Sequence, residues 1–423
     1  MAAVGADMVG AVGAVAAVDT AAVGATVTDP GNNPDARQRE GRGTSSSYLS
    51  PRGACPSREA MPVANSVLFM IYKTTSSASN RGPLPGRRSW KEIVAPYQRP
   101  ALWRGIWQLL NTLVPYIVLW FLMYRALAVS AWLTLPLAIL AGGFLVRIFI
   151  IFHDCTHSSF FKSRRANELL GNLAGVLCFT PFYRWRWEHS IHHASAGDLD
   201  RRGTGDVWTM TVQEYLAASR WKRFAYRLAR NPLILFVVAP LVLFLVLQRF
   251  PTGKEGKRER LSVYGTNLAL ALMVACMSWA IGWKAYLLLQ LTAVMVAGSA
   301  GVWLFYVQHQ FEEVYWERGS EWDYEKAALQ GSSYYKLPRL LQWFSGNIGF
   351  HHIHHLSPRI PNYHLEKCHH SEPLFHTVKP LTLLSSLKCF SFRLWDEQRR
   401  KMVGYPSRRR AAKCRPAAVS TML

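Results

Sequence analysis

The sequence is poor in the residues that hold small secreted or thiolate-metal domains together. Its seven cysteines, Cys55, Cys155, Cys178, Cys276, Cys368, Cys389 and Cys414, are scattered, odd in number and free of any CxxC pair. Neither a disulfide framework nor a thiolate zinc site is suggested, and reduced thiols facing the cytosol are expected. No HExxH motif occurs, which removes the zinc protease site built on one helix. Acidic residues are scarce, 26 Asp and Glu against 49 Lys and Arg in 423 residues. Histidine is absent before His153 although the chain carries 14 of them, so their placement is the strongest anomaly of composition.

The chain opens on an Ala/Gly/Val-rich stretch, MAAVGADMVGAVGAVAAVDTAAVGATV, then turns polar, Pro-rich and basic. Such a composition buries little, and disorder is expected over residues 1–100. No basic residue precedes the apolar part, which argues against a secretory signal, and Asp7 and Asp19 argue against a transit peptide. Residues 101–400 read as one membrane domain, and residues 401–423 as a basic tail containing Arg408 to Arg410.

Ile106–Tyr124 and Ala131–Phe152 are apolar runs of about 20 residues, long enough at about 1.5 Å per residue to cross a hydrocarbon core of about 30 Å. Tyr264–Trp283 and Ala285–Val307 form a second such pair, separated by little more than Lys284. Each pair reads as a helical hairpin. The hairpin links carry one basic residue each, Arg125 or Lys284, whereas the segment from His157 to Pro232 carries twelve. The positive-inside rule puts that segment in the cytoplasm with both termini, where anionic headgroups attract them. Nucleic-acid binding is then not needed to explain the charge.

The histidines fall into three groups. HDCTH places His153 and His157 at i, i+4 directly after the second span; HSIHH carries His189, His192 and His193; HHIHH carries His351, His354 and His355 at i, i+3, i+4. On a helix each set shares one face. One such pair alone is more often ordinary surface or core histidine; three together are not. Imidazole without thiolate fits iron, zinc, copper or nickel. Eight imidazoles exceed the four to six ligands of one ion, which suggests two ions, as a redox or a hydrolytic pair. His309, at the end of the fourth span, is either a ninth ligand or a cation capping a helix C-terminus. His352 falls off the pattern, and His364, His369, His370 and His376 lie on a polar stretch where solvation is expected.

One site requires all groups on one side of the bilayer, so the number of crossings between them is even. The second hairpin supplies two. Pro232–Phe250, with Pro240 in its middle, must therefore re-enter or lie in the interface, and so must the short Leu169–Phe182. Four spanning helices follow.

HDCTHSSFF, HSIHHA and GNIGFHHIHHLSPRIPNYHLE together resemble the three histidine boxes of the membrane fatty acid desaturases. HSIHHA continued through DLDRRGTGDVWTMTVQEY, with WLFYVQHQFE and GSSYYKLPRLLQWFSGNIG, is similar to the bacterial delta-5 acyl-lipid desaturases, over about residues 103 to 400. The resemblance implies an all-α integral membrane fold, a four-helix transmembrane stem bearing a cytosolic helical cap that holds a di-iron site. It implies that His309 is a ligand and that Asn347 holds a metal-bound water. Two iron ions, dioxygen as co-substrate, phospholipid acyl chains as substrate and a ferredoxin or flavodoxin as electron donor are its expected company. An unactivated methylene has neither an acidic proton nor an electrophilic carbon, so the hard step falls to the metals. Asp154 and Asp206 are candidates for orienting imidazole N–H groups, and Trp185, Trp187 and Trp208 for lining an acyl channel. A histidine-box hydroxylase or ketolase is the nearest chemical alternative. A divalent-metal transporter is the alternative of another class, but it requires histidines near the middle of spans rather than at their ends.

Overall fold

The computed structural model describes residues 89–406; the expectations for the N-terminal lead-in before Ser89 and for the tail after Pro406 lie outside the described residues. The helices that build the molecule are, in chain order, α1 (Leu102–Leu127), α2 (Ala131–Thr156), α3 (Arg164–Leu177), α4 (Phe182–Ser195), α5 (Arg220–Ala229), α6 (Lys257–Ile281), α7 (Trp283–His309), α8 (His351–Leu356) and α9 (Asn362–His369).

α1, α2, α6 and α7 are each long and apolar enough to cross a membrane, as the parity of the histidine groups requires. Large apolar side chains remain exposed along them, among them Leu102, Ile117 and Phe121 on α1 and Leu268 and Leu272 on α6. In water such a surface would be a liability; facing lipid, it costs nothing. Exposed Trp132, Trp279 and Trp283 gather near the two hairpin turns, and Trp103 and Trp107 near the opposite end of α1, the disposition of interfacial aromatic belts.

The first hairpin turns where expected: Ser130 caps α2 by accepting a hydrogen bond from the Trp132 amide at 3.1 Å. The second turns at Gly282 rather than at Lys284. Gly282 has φ +84°, a left-handed conformation that a residue without Cβ takes without strain, and α6 ends just before it; at its other end α6 begins earlier than expected, at Lys257. α2 and α7 pack closely because Gly142 leaves room; a Cβ there would lie 2.6 Å from Val296 Cβ. Small residues at such a crossing let two membrane helices approach.

Between the hairpins the chain does not cross as a straight helix. After α5 it bends by 60° into Ile234–Arg249, which is broken into π, α and 3-10 turns around Pro240. α5 is amphipathic, with Trp221 and Phe224 exposed among Arg220, Lys222, Arg223 and Arg227, the composition of a helix lying in an interface. Leu169 and Leu173 are likewise exposed on α3.

The all-α expectation needs correction: the fold is mostly helical but contains two small sheets. β1 (Met210–Thr211) pairs in parallel with β4 (Leu394–Asp396), which pairs antiparallel with β5 (Lys401–Val403); β2 (Tyr334–Lys336) pairs in parallel with β3 (Pro380–Thr382). The packed body also begins before residue 101, since Val94 is fully buried in a short helix starting at Trp90.

Candidate metal centre

Each histidine group is delivered by a helix whose position the neighbouring sequence sets. His153 is in the last turn of α2, with His157 as the C-cap, and His309 ends α7, so both apolar helices run towards the same place. α4 carries His189, His192 and His193 on one face. α8 carries His351, His354 and His355 and is entered through a tight GNIG turn. Gly346 and Asn347 take left-handed backbone (φ +52° and +60°), and a Cβ on Gly349 would sit 2.3 Å from the Tyr335 carbonyl oxygen. That close approach is held by the Tyr335 amide donating to the Gly349 carbonyl at 2.7 Å, which docks the start of α8 on β2.

The rings converge on two adjoining foci. His153, His157, His189, His193 and His354 each offer a nitrogen within 4.8 Å of all the others, and His192, His309 and His355 do the same. His351 joins the second focus, its Nε2 being 2.9 Å from His309 Nε2. The foci are contiguous, since the His193 and His355 rings stack at 4.2 Å. All nine side chains proposed from the sequence are thus brought together from four helices.

Burial, reinforced by the neighbouring imidazoles, holds His189, His193, His351, His354 and His355 well below the ordinary 6.5. They are neutral at pH 7, the state a metal ligand requires. Tautomers follow from partners that can only accept. His192 Nδ1 donates to Asp206 Oδ1 at 2.7 Å, and His309 Nδ1 donates to the Gly331 carbonyl at 3.2 Å. With the proton on Nδ1, each ring turns its Nε2 towards the focus, and these two nitrogens are only 3.3 Å apart. A cation beside them would be ligated by both. Nε2 of His157 and of His355 are also buried with no hydrogen-bond partner. The donor set fits imidazole-ligated metal and offers no thiolate or carboxylate ligand in its place.

The acidic candidates separate. Asp206 orients His192 directly and is itself held by the Gly203 amide at 3.2 Å. Asp154 Oδ1 lies 3.5 Å from His153 Nδ1, whereas its Oδ2 accepts from the Asn362 backbone and side-chain nitrogens at 2.7 and 2.8 Å. Its stronger bonds tie the end of α2 to the start of α9. The Asn347 amide oxygen accepts from Gln342 Nε2 at 2.9 Å and its nitrogen donates to the Asn362 carbonyl at 3.2 Å. Trp185 stacks on His189 at 4.2 Å and Phe305 lies 5.2 Å from both His192 and His309, apolar walls against the foci. Trp208 packs instead on Tyr226, at 5.0 Å.

One expectation about the remaining histidines is corrected. His352 stays out of the foci, as its off-pattern position suggests, and is fully buried with its Nε2 3.0 Å from His369 Nδ1. His369, expected to be solvated, is 4% exposed because α9 folds back under β2 and α8, placing the Tyr334 ring 4.6 Å away. The Gly331 carbonyl was not foreseeable, since any residue offers one.

The fatty acid desaturase family model matches residues 130–379, which contain all three boxes and His309. The chain belongs to the fatty acid desaturase family. It is 51% identical to a fatty acid desaturase of Bacillus subtilis over 313 residues, covering 74% of this chain and 89% of that one. It is 28% identical over 258 residues to the sn-1 oleoyl-lipid 12-desaturase of Synechocystis, covering 59% of this chain and 71% of the relative. A similar likeness, 28% over 251 residues, links it to that organism's sn-1 acyl-lipid omega-3 desaturase (ferredoxin), covering 56% of this chain and 67% of that one. As a desaturase it is an oxidoreductase, and the histidine foci are groups that could hold metal ions.

Proposed function

We propose that this desaturase introduces a cis double bond at the delta-5 position of phospholipid acyl chains, using two iron ions held by His153, His157, His189, His192, His193, His309, His351, His354 and His355. The observation that carries the reading is the pair of contiguous all-imidazole foci at the ends of α2 and α7. Five rings at one focus and four at the other suit two ions better than one. When bound, a pair of irons supplies the reduction of dioxygen that removes one hydrogen from each of two adjacent methylenes.

The chain's own residues do the rest. Neutral imidazoles let the irons change oxidation state without a proton leaving the ligand. Asp206 and the Gly331 carbonyl fix the tautomers of His192 and His309, so that Nε2 points inward. Trp185 and Phe305 keep water from the reacting carbons. Asp154 keeps α2 and α9 in register, and Asn347 is the candidate for holding a metal-bound water, reached by a shift of its amide away from Gln342. Which bond reacts is a matter of how deeply the chain enters, a positioning effect rather than one of intrinsic reactivity.

The foci lie at helix ends, so the substrate carbon is brought up from the bilayer to the interface. The basic segment between the hairpins supports a cytoplasmic location for this face and for both termini. A small acidic carrier, a ferredoxin or flavodoxin, is the donor its charge favours.

The test is expression in a host without desaturases, with reduced donor supplied, followed by chromatography of membrane lipids and location of the double bond. Wild type yields a cis-5 species and about two irons per chain; His354→Ala yields neither. Hydroxylated or ketone products would shift the assignment to the sister chemistries, and no new product from iron-loaded protein would end it.

A further inference from the structure

A third group of imidazoles lies outside the two foci, and neither the boxes nor the desaturase reaction uses it. His369 at the end of α9, His370 as its C-cap and His376 on the following 3-10 turn each present a nitrogen within 4.8 Å of the other two. Their ring centroids are 4.9, 5.1 and 5.9 Å apart. His369 is buried, while His370 and His376 are exposed. The buried ring is held on two sides, by His352 Nε2 at 3.0 Å from its Nδ1 and by the Tyr334 and Phe350 rings at 4.6 and 5.1 Å. One anchored imidazole beside two exposed ones is an arrangement that can close around an ion by rotation of the outer rings.

We infer that His369, His370 and His376 form a separate surface site for a first-row divalent cation of the zinc type, linked to box three through His352. Zinc bonds imidazole nitrogen at about 2.0–2.1 Å, which in a tetrahedron puts ligand nitrogens about 3.4 Å apart. The present spacing needs contraction, and rotation of the two exposed rings supplies it while His369 stays in place. Three imidazoles and no thiolate leave the fourth position to water, so the ion is exchangeable rather than entombed. Three imidazoles and a water suit a tetrahedral ion of the zinc type by ligand kind and geometry.

The link to box three gives the site a consequence. His352 sits on α8 between His351 and His354, so an ion that fixes His369 also braces the buried side of the helix that delivers three site ligands. His352 is itself the outer partner of His369, and such a partner typically changes metal affinity by about 10–100-fold.

The experiment uses tag-free, iron-loaded full-length enzyme in detergent, titrated with zinc chloride by calorimetry, with zinc and iron counted per chain before and after. Wild type is expected to take up one zinc without losing iron. His376→Ala should weaken that uptake by about 100-fold, and the His370→Ala/His376→Ala pair should abolish it. Both residues are exposed, so iron content and desaturation in zinc-free buffer should match wild type. Uptake unchanged in the double variant, or zinc uptake by wild type matched by loss of iron, overturns the assignment.

Discussion

The Asp206–His192 pair allows the two-focus arrangement to be tested at one focus. His192 belongs to the group with His309, His351 and His355, and its Nδ1 bonds Asp206 at 2.7 Å, with the two side chains 2% and 8% exposed. In Asp206→Asn the carboxamide can still accept through its oxygen, but the Gly203 amide at 3.2 Å competes for that oxygen, and turning the amide presents N–H to Nδ1 instead. The imidazole proton would then move to Nε2, which removes the inward lone pair. A hydrogen bond to a charged group is worth about 1.5–3 kcal/mol. At about 1.4 kcal/mol per tenfold, that is a loss of roughly 10–100-fold in affinity for the ion at this focus. The assay is iron per chain, with Mössbauer or absorption spectra, after dialysis against a graded chelator series. Wild type should hold about two irons over most of the series. Asp206→Asn should fall to about one and then plateau, because the five-histidine focus does not contain His192. Loss of both irons together, or an unchanged curve, would refute the separation into two foci and the role given to Asp206.

Asp154→Asn should behave differently, because the stronger partners of Asp154 are the two nitrogens of Asn362. Thermal unfolding in detergent should show a loss of about 1–3 kcal/mol, with chelator resistance per folded molecule close to wild type. The metal-free protein should lose stability on acidification. Its buried histidines have folded values below 6.5, so as pH falls under 6.5 the unfolded chain takes up protons that the folded chain refuses; the loss starts near 6.5 and continues to about 4, where His369 titrates. A thermal midpoint that is flat between pH 8 and pH 5 would contradict this. Gly142→Ala should push α2 from α7, lowering both the midpoint and iron retention, and Val296→Ala should restore much of each; additive losses in the double variant would exclude a direct contact. Arg147→Met should cost about 1.5–3 kcal/mol, read by the same unfolding assay, since Arg147 donates to Thr112 at 3.0 Å, to the Trp343 carbonyl, and stacks on the Trp343 ring at 3.9 Å.

The parts of the fold legible in the sequence are those written in local periodicity. Imidazoles at i, i+3, i+4 share a helix face whatever the tertiary structure, and runs of about 20 apolar residues span a bilayer wherever they occur. The one non-local step, the even number of crossings, was taken from the common site rather than from periodicity, and the four long apolar helices are compatible with it. The sheets were illegible for the opposite reason. β1 is two residues long and its partner β4 lies at Leu394 to Asp396, so neither carries an alternating pattern to read. The turn at Gly282 was within reach, because glycine takes a positive φ without strain, whereas Lys284 marks only a charge and not a break in the helix.

His352 and His369 show where spacing stops being informative. Within HHIHH, pattern position separates His351, His354 and His355 from His352 by face, and the face is correct: His352 does point away from the foci. What spacing cannot supply is what waits on the other side. A buried, neutral, hydrogen-bonding ring must find a partner there, since an unsatisfied imidazole costs as much as any buried polar group. The chain provides it from α9, whose first turn is pinned by Asp154 at the end of α2 and whose last residue is His369. One short helix thus joins the end of a membrane span to the back of box three. The polar stretch after the boxes, which composition alone assigns to solvent, is part of the frame that holds the centre.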